Sequence, residues 1–395
     1  MAVYLNTLSA DYLEALRGKE RHESIMVELL NYDEIAYASF TAQLSYDDKG
    51  SINSNDNNGV QRASTLTLID TDGSIAKSLL NNVSAKIKLW YGLQANKDTY
   101  YFAQGVYFVK TIEIKDKLVS LQLVDKYGLL NGELKAGAYM YALSVEPTED
   151  KAIYVGNLIE DTLSMDAGNG RQIDPIKPNI WYNPILTADI ITNAGGYIAE
   201  TFETLANLYG SRIYYDRDGV FNFEQIFDYG YPFRVMQKPA VYEFDSSNIS
   251  DLTMSTDNDN CNTVIVSTDN TDGDNVTVVV QNTNAFSDFC VDKVGTRLYD
   301  GDGVTDGVYY IPLRDGSEKE NSQACKDMGE YLLMQEAKRK CTMSFNTPVV
   351  PHLQVGDVVL VNGQRCVLQS LTIPLASGEL MQVQALNVEQ LPYEE

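Results

Sequence analysis

Hydrophobic and polar positions alternate in short runs through the first third of the chain. Val83, Ala85, Ile87 and Leu89 are interleaved with Ser84, Lys86 and Lys88, the period-two pattern of a strand buried on one face. Ile25 to Leu30, Ala36 to Tyr46, Ser64 to Asp70, Tyr100 to Lys110, Thr111 to Ile114 and Leu118 to Val124 have strand character too. Thr71-Asp-Gly73 stops one strand, and Asp47 to Gly59, dense in Asp, Asn, Ser and Gly, reads as a loop. Many short strands joined by local turns predict an antiparallel barrel or sandwich over about residues 20–130. A polar, helical arm precedes it.

The period then changes. Val155, Leu158, Ile159 and Leu163 fall on one face of a short helix within Ile153 to Leu163, and Asp174 to Pro184 is irregular and Pro-rich. Ile198, Phe202, Leu205 and Tyr209 recur at helical spacing, and Gly210 stands where that helix should end. A hairpin follows, Ser211 to Tyr215 and Val220 to Ile226, turned by Asp216-Arg-Asp-Gly219 with Gly219 supplying a positive φ. This α+β stretch occupies about 131–245. Strands return at Thr263 to Ser267 and Val276 to Gln281.

From Ser317 to Lys340 the spacing is helical again. Ser317 and Glu320 have capping-box spacing, and Lys338, Arg339 and Lys340 suit the carbonyl end. Ala324, Met328, Tyr331, Leu332 and Gln335 form a mostly apolar stripe. Gly329 within it costs about 1 kcal/mol against alanine, so packing has to hold this helix. Strands over 341–347, 357–361, 365–373 and 379–388 finish the chain. Leu353-Gln-Val-Gly-Asp-Val-Val359 reads as a tight turn feeding a buried strand.

One internal echo runs through these strands. Val109-Lys-Thr-Ile-Glu-Ile114 followed by Val119-Ser-Leu-Gln-Leu123 matches the pattern of Leu368-Gln-Ser-Leu-Thr-Ile373 followed by Met381-Gln-Val-Gln-Ala385. It permits two similar β-domains on either side of the middle segment.

Composition narrows the function classes. The 395 residues suffice for two or three domains, and 26 Tyr against 12 Phe leans toward strands. With 55 acidic and 30 basic residues the formal charge is -25, a surface that repels phosphate backbones and argues against sequence-specific nucleic-acid binding. Residues 251–306 alone hold eleven Asp and no Glu, opposed only by Lys293 and Arg297. No basic start followed by an apolar run marks a signal peptide, and no stretch approaches membrane-spanning length, so stable membrane insertion is not expected. Cys261, Cys290, Cys325, Cys341 and Cys366 are scattered without Cys-x-x-Cys spacing, which suits reduced thiols in a protein made in a cytoplasm.

Chemistry-bearing constellations are sparse. Asp300-Gly-Asp-Gly-Val-Thr-Asp306 begins like a calcium loop, but Val304 takes the third ligand slot and Ile311 the twelfth, leaving an acidic turn. Asp257-Asn-Asp-Asn260 and the run from Asp269 to Asp274 read as Asx-rich turns. His22 and His352 are the only histidines and lie far apart without HExxH spacing. Pairing His352 with Cys341 or Cys366 would make a hydrolase dyad, yet Cys341 shares an inward face with Met343 and Phe345. Tyr91, Tyr100, Tyr214 and Tyr215 could line a glycan cleft, although tyrosines on alternating strands more often sit at core rims. The sequence therefore supplies no catalytic, cofactor-binding or metal-ligating set, and reads as a non-enzyme.

Several segments taken in order resemble phage tail baseplate hub proteins. Gly105-Val-Tyr-Phe-Val with its hairpin to Leu121-Gln-Leu-Val-Asp-Lys-Tyr-Gly-Leu-Leu130 resembles their first domain. Phe202 through Phe223 resembles the middle helix and hairpin, and Cys261-Asn-Thr-Val-Ile-Val resembles the entry to a second barrel, completed by the Ser317 helix and Leu353 to Val359. The resemblance implies a mainly β (α+β) fold with two tail-tube-like antiparallel β-barrels flanking an α+β insert. The domains would be 1–130 (arm and first barrel), 131–245 (insert) and 246–395 (second barrel with the long helix). It implies a homotrimer at the tail tip that adapts a six-fold tube to three-fold symmetry. Its neighbours would be a tail tube or distal tail protein, a tape measure protein, and a tail fibre or spike. The location would be the virion tail tip, after assembly in a host cytoplasm. An acidic lumen for DNA passage would then give the charge a role. The alternative reading is a glycan-binding or glycan-cleaving tail protein acting on the host surface.

Overall fold

A computed structural model describes residues 8–18, 20–43, 50–56, 60–81, 85–134, 139–140, 143–146, 152–167, 170–186, 189–192, 195–225, 239–256, 260–269, 275–285, 287–301, 303–312, 318–337 and 341–387. The arm resolves into α1 (Ala10–Arg17), capped by the Ser9 hydroxyl, which accepts the Tyr12 N–H at 3.1 Å. Next come β1 (Glu23–Leu30), β2 (Ala36–Gln43), β3 (Ser51–Asp56), β4 (Val60–Ile69), α2 (Ser74–Leu80), β5 (Lys86–Ala95), β6 (Asp98–Lys115) and β7 (Leu118–Asp125). The insert holds α3 (Tyr127–Leu130), β8 (Tyr139–Met140), β9 (Leu143–Val145), α4 (Val155–Leu163), β10 (Asn179–Ile180), β11 (Ile190–Thr192) and β12 (Gly196–Tyr197). It ends with α5 (Ile198–Leu208), β13 (Ser211–Tyr215) and β14 (Phe221–Gln225). The last part runs β15 (Tyr242–Phe244), β16 (Ser250–Ser255), β17 (Thr263–Asp269), β18 (Thr277–Gln281), α6 (Val291–Val294), β19 (Val304–Thr305) and β20 (Val308–Pro312). It closes with α7 (Glu318–Ala337), β21 (Cys341–Pro348), β22 (Val358–Val361), β23 (Gln364–Pro374) and β24 (Leu380–Asn387).

The fold is mainly β, with antiparallel sheets, as the alternating pattern predicts. Strands from both ends of the chain join in one 13-stranded sheet, ordered β16-β21-β24-β23-β3-β4-β7-β6-β5-β1-β2, with β15 and β22 attached beside β23. One continuous core lies against it, from Tyr12 and Leu29 through Ile52, Ile87 and Tyr91 to Phe244, Phe345, Leu371 and Val383. Cys341, Met343 and Phe345 point into this core, on the face that the alternation assigns to them.

Two elements of the first strand set depart from the sequence reading. The expected loop from Asp47 to Gly59 contains β3, which pairs with β4 on one edge and β23 on the other. Its Ser, Asn and Asp content favours turns, yet hydrogen bonding on both edges and burial of Ile52 hold it extended. Between β4 and β5, Gly73 at φ 75 leads into α2, which drops Ile75 and Leu79 into the core. Asp70 steadies that turn by accepting the Ala76 N–H at 2.8 Å.

The insert has its own core. Ile198, Phe202, Leu205 and Tyr209 are all buried on β13 and β14 through Ile213, Tyr215, Phe221 and Phe223. Gly210 ends the helix at φ 53, and Gly219 turns the hairpin at φ 79.

The long helix packs on β17 and β18, within a separate four-stranded sheet ordered β18-β17-β20-β19. Ala324, Met328, Tyr331 and Leu332 cover Val264, Val266 and Ile311 there, so this helix builds a third core away from the large sheet. Ser317 and Lys338 to Lys340, its expected cap and basic end, lie outside the described residues. Gly329 is explained by close approach: a Cβ there would stand 2.5 Å from Val280 Cγ2 and 2.9 Å from Val280 Cβ. Val280 is branched and anchored in β18, so it yields little. Gly329→Ala should therefore lose about 1–2 kcal/mol in urea unfolding, overpacking outweighing the propensity gain of about 1 kcal/mol.

Candidate functional site: the strand seam and the buried junction

The residues with candidate chemistry are dispersed. His22 is exposed. His352 is 1% exposed, its Nδ1 hydrogen-bonded to the Tyr12 hydroxyl at 2.9 Å and its ring packed among Tyr12, Phe102 and Tyr242. Cys366 lies instead beside Met343, 3.8 Å between sulfurs, and burial with the neighbouring Cys341 pushes its thiol up to about 12. His352 and Cys366 thus each have their contacts with other groups, Tyr12 and Met343, and not with one another. Asp300 and Asp306 are exposed on turns, while Asp302, Asp257 to Asp259 and Asn270 to Asp274 lie outside the described residues. Among the described residues no three His, Cys, Asp or Glu side chains converge. Tyr91 belongs to the large core and Tyr215 to the insert core, so the four tyrosines do not share a cleft.

Burial, then the Arg217 guanidinium, holds His352 down at about 4, against 6.5 for a free imidazole. The unfolded chain thus binds one more proton between pH 6.5 and 4, so this residue's contribution is complete above 6.5 and falls as the pH drops through that window. Buried Asp125, raised to about 6, works in the opposite sense over part of it. The difference between wild type and His352→Gln isolates the histidine. Between pH 7 and 4.5 the wild type should lose about 2 kcal/mol more unfolding free energy than the variant.

Charged residues concentrate where the insert meets the large sheet. Lys86 Nζ lies 2.7 Å from Glu34 Oε1, Lys126 Nζ 2.5 Å from the same oxygen, and Lys126 Nζ 2.8 Å from Asp174 Oδ1. All four side chains are buried. Two ammonium groups face two carboxylates, so the formal charges balance. Tyr215 donates to Asp174 Oδ2 at 2.8 Å, and Lys126 donates to the Gly219 carbonyl at 2.7 Å. Lys86, which the alternation puts on a polar face, is buried because the insert covers that face. Burial, and then nearby Lys126, hold its pKa below the ordinary lysine value, with Glu34 opposing them.

The turn from Asp216 to Gly219 locks into the same junction. Arg217 reaches the carbonyls of Pro351 at 3.4 Å and His352 at 3.3 Å, while Asp218 pairs with Lys88 at 2.7 Å. Gly219 rests on Val106, where a Cβ would approach to 2.8 Å. In the sequence these four are turn residues only. Asp216 holds the turn itself, while Arg217, Asp218 and Gly219 meet segments far away in the chain.

The β3–β23 seam joins two matched sets of strands. In the first, Val109 pairs with Leu123 and Thr111 with Gln122, leaving Lys110 as a bulge. In the second, Leu368 pairs with Ala385 and Ser370 with Gln384, leaving Gln369 as the bulge. Outer strands keep step, since Thr65 opposes Gln122 as Ser344 opposes Gln384, and Ile87 opposes Tyr107 as Val359 opposes Cys366. The sequence echo is thus a structural repeat with one register. Beside the seam opens a depression of about 210 Å³, lined by Asn53, Asn55, Arg62, Asp125 and Tyr127 among others. That is below the roughly 300–1,000 Å³ of small-molecule sites.

No family model matches the chain, and no curated protein does. Solved structures do. The tail protein from Neisseria meningitidis MC58 superposes with a TM-score of 0.55 at 14% identity, covering 93% of this chain and 97% of that one. This chain has the fold of that tail protein. The 43 kDa tail protein of prophage MuSo2 from Shewanella oneidensis gives 0.52 at 9% identity, covering 92% and 98%. A chain of the half-lidded Francisella PdpA–VgrG complex gives 0.52 at 10% identity, covering 97% of this chain and 62% of that one. The resemblance to tail hub proteins read from the sequence holds at the level of fold.

Proposed function

We propose that the protein is a structural component of a phage tail tip or baseplate, a non-enzymatic hub whose copies form a trimeric ring. The observation that carries this reading is the pair of register-matched strand sets in one chain: three copies would present six similar β-units. Such a ring would continue a six-fold tube on one side and meet a three-fold tip on the other. The two β-units fall within 1–130 and 246–395; the Glu34–Lys86–Lys126–Asp174 cluster clamps the insert of 131–245 to the first, and Arg217 ties it to the Pro351 and His352 carbonyls of the second. The long helix and its four-stranded sheet are carried as a side module of the second unit. Partners in this reading are a tail tube or distal tail protein, a tape measure protein, and a fibre or spike.

The net charge of -25 suits a channel wall that DNA passes without adhering, since a duplex carries one charge about every 1.7 Å. Electron microscopy of the purified protein tests this: three-fold rings around an open, electronegative channel are expected. A closed or electropositive channel would count against DNA passage. Release of sugars from host wall material would favour the glycan reading instead, which the dispersed tyrosines do not support.

A further inference from the structure

The two strand sets are alike in register but unlike in their outer contacts. In the second set, β23 carries β22 along residues 364–367 and β3 along 370–374, both on the edge opposite β24. In the first set, the equivalent strand β6 carries β5 only up to Phe108. Among the described residues no strand pairs with the same edge of β6 from 109 to 115. The complementary vacancy lies at the far end of the sheet. β16 stands to β21 as β3 stands to β4, because Thr253, Met254 and Ser255 oppose Ser344, Met343 and Thr342 as Ser51, Ile52 and Asn53 oppose Thr65, Ser64 and Ala63. Yet β16 ends the sheet order, and all six of its residues are exposed.

We infer that β16 of one copy pairs antiparallel with residues 113–115 of β6 in the next copy, repeating between chains the seam that β3 and β23 make within one. The register follows from the repeat. Within the chain Ile52 opposes Ile373 and Asn53 opposes Thr372. The equivalents place Met254 opposite Ile114, Ser255 opposite Glu113, and Thr253 opposite Lys115. Exposure supports the match. Ile52 and Ile373 are 1% and 2% exposed, whereas Met254 and Ile114 are 54% and 46%. Two large apolar side chains on open strand edges invite strand addition, and the matched partner here is a second copy of this chain. Each copy offers one β16 and one open β6 edge, so the contact is head-to-tail, the kind that gives a ring when its rotation closes. Closure and the number of copies rest on the ring reading above.

Ser255→Cys combined with Glu113→Cys tests the register, with Asn53→Cys combined with Thr372→Cys as the matched control inside one chain. On mild oxidation the control should form an intrachain bond, and the Ser255/Glu113 variant should give a covalent trimer on a denaturing gel. An oligomer by light scattering with no interchain disulfide would overturn the pairing and leave the ring reading standing. Interchain disulfides that extend beyond three copies would support the pairing and contradict the trimer. Met254→Lys supplies a second readout: the oligomer should fall to single chains with the melting temperature of the isolated chain unchanged. An unaltered oligomer would overturn the inference.

Discussion

Glu34→Ala is expected to lower unfolding free energy by about 3–5 kcal/mol, the usual cost of removing one partner from a buried ion pair. Glu34 Oε1 is shared by Lys86 and Lys126, so its loss leaves Lys86 with the Tyr32 carbonyl and Lys126 with Asp174. Both ammonium groups are buried, so neither meets water in the folded chain. A domain is stable by only about 5–15 kcal/mol, so the change should be plain in urea unfolding. Glu34→Leu with Lys86→Met removes one charge of each sign and should recover most of the loss, because the uncompensated charge rather than the pair itself dominates the cost. A loss under about 1 kcal/mol for Glu34→Ala would mean that the cluster behaves as a solvated surface pair.

Ile52→Asp is expected to be as damaging for a different reason. Ile52 sits at the seam, between Ser64 and Ile373, and faces the core shared by both strand sets. Carboxyls in such surroundings shift up by about 3–5 pH units, and since the group protonates once its pKa passes the ambient pH, this costs about 4 kcal/mol at neutral pH. Met254→Asp, at the equivalent position of the second set, should cost the isolated chain under about 1 kcal/mol, because Met254 is exposed there. Denaturant unfolding of both variants checks the contrast. Equal losses would contradict the assignment of Met254 to an open edge.

Strand alternation carried the large sheet, and helical spacing carried α4, α5 and α7, because burial on one face leaves a period in the sequence. The echo between residues 109–123 and 368–385 was legible to the residue, since both hairpins keep the same bulge. What escaped was set by tertiary partners. β3 has turn-prone side chains and one core residue, and it is a strand because β4 and β23 flank it. α2 is about two amphipathic turns behind a Gly, too brief to show a period. Lys86 reads as solvent-facing until the insert is placed on it, and Arg217 reads as a turn filler until Pro351 and His352 arrive beneath it. The long helix shows its apolar stripe clearly, but no pattern states that β17 and β18, not the large sheet, receive it. At the candidate site, absence of a catalytic set was the sequence expectation. The seam and the ion cluster came from contacts between distant segments.

The proposed ring holds three copies of this chain. Light scattering coupled to size exclusion, run across a dilution series, measures it directly. A species of three 44.0 kDa chains that persists on dilution is expected. A single-chain mass at every concentration would contradict it.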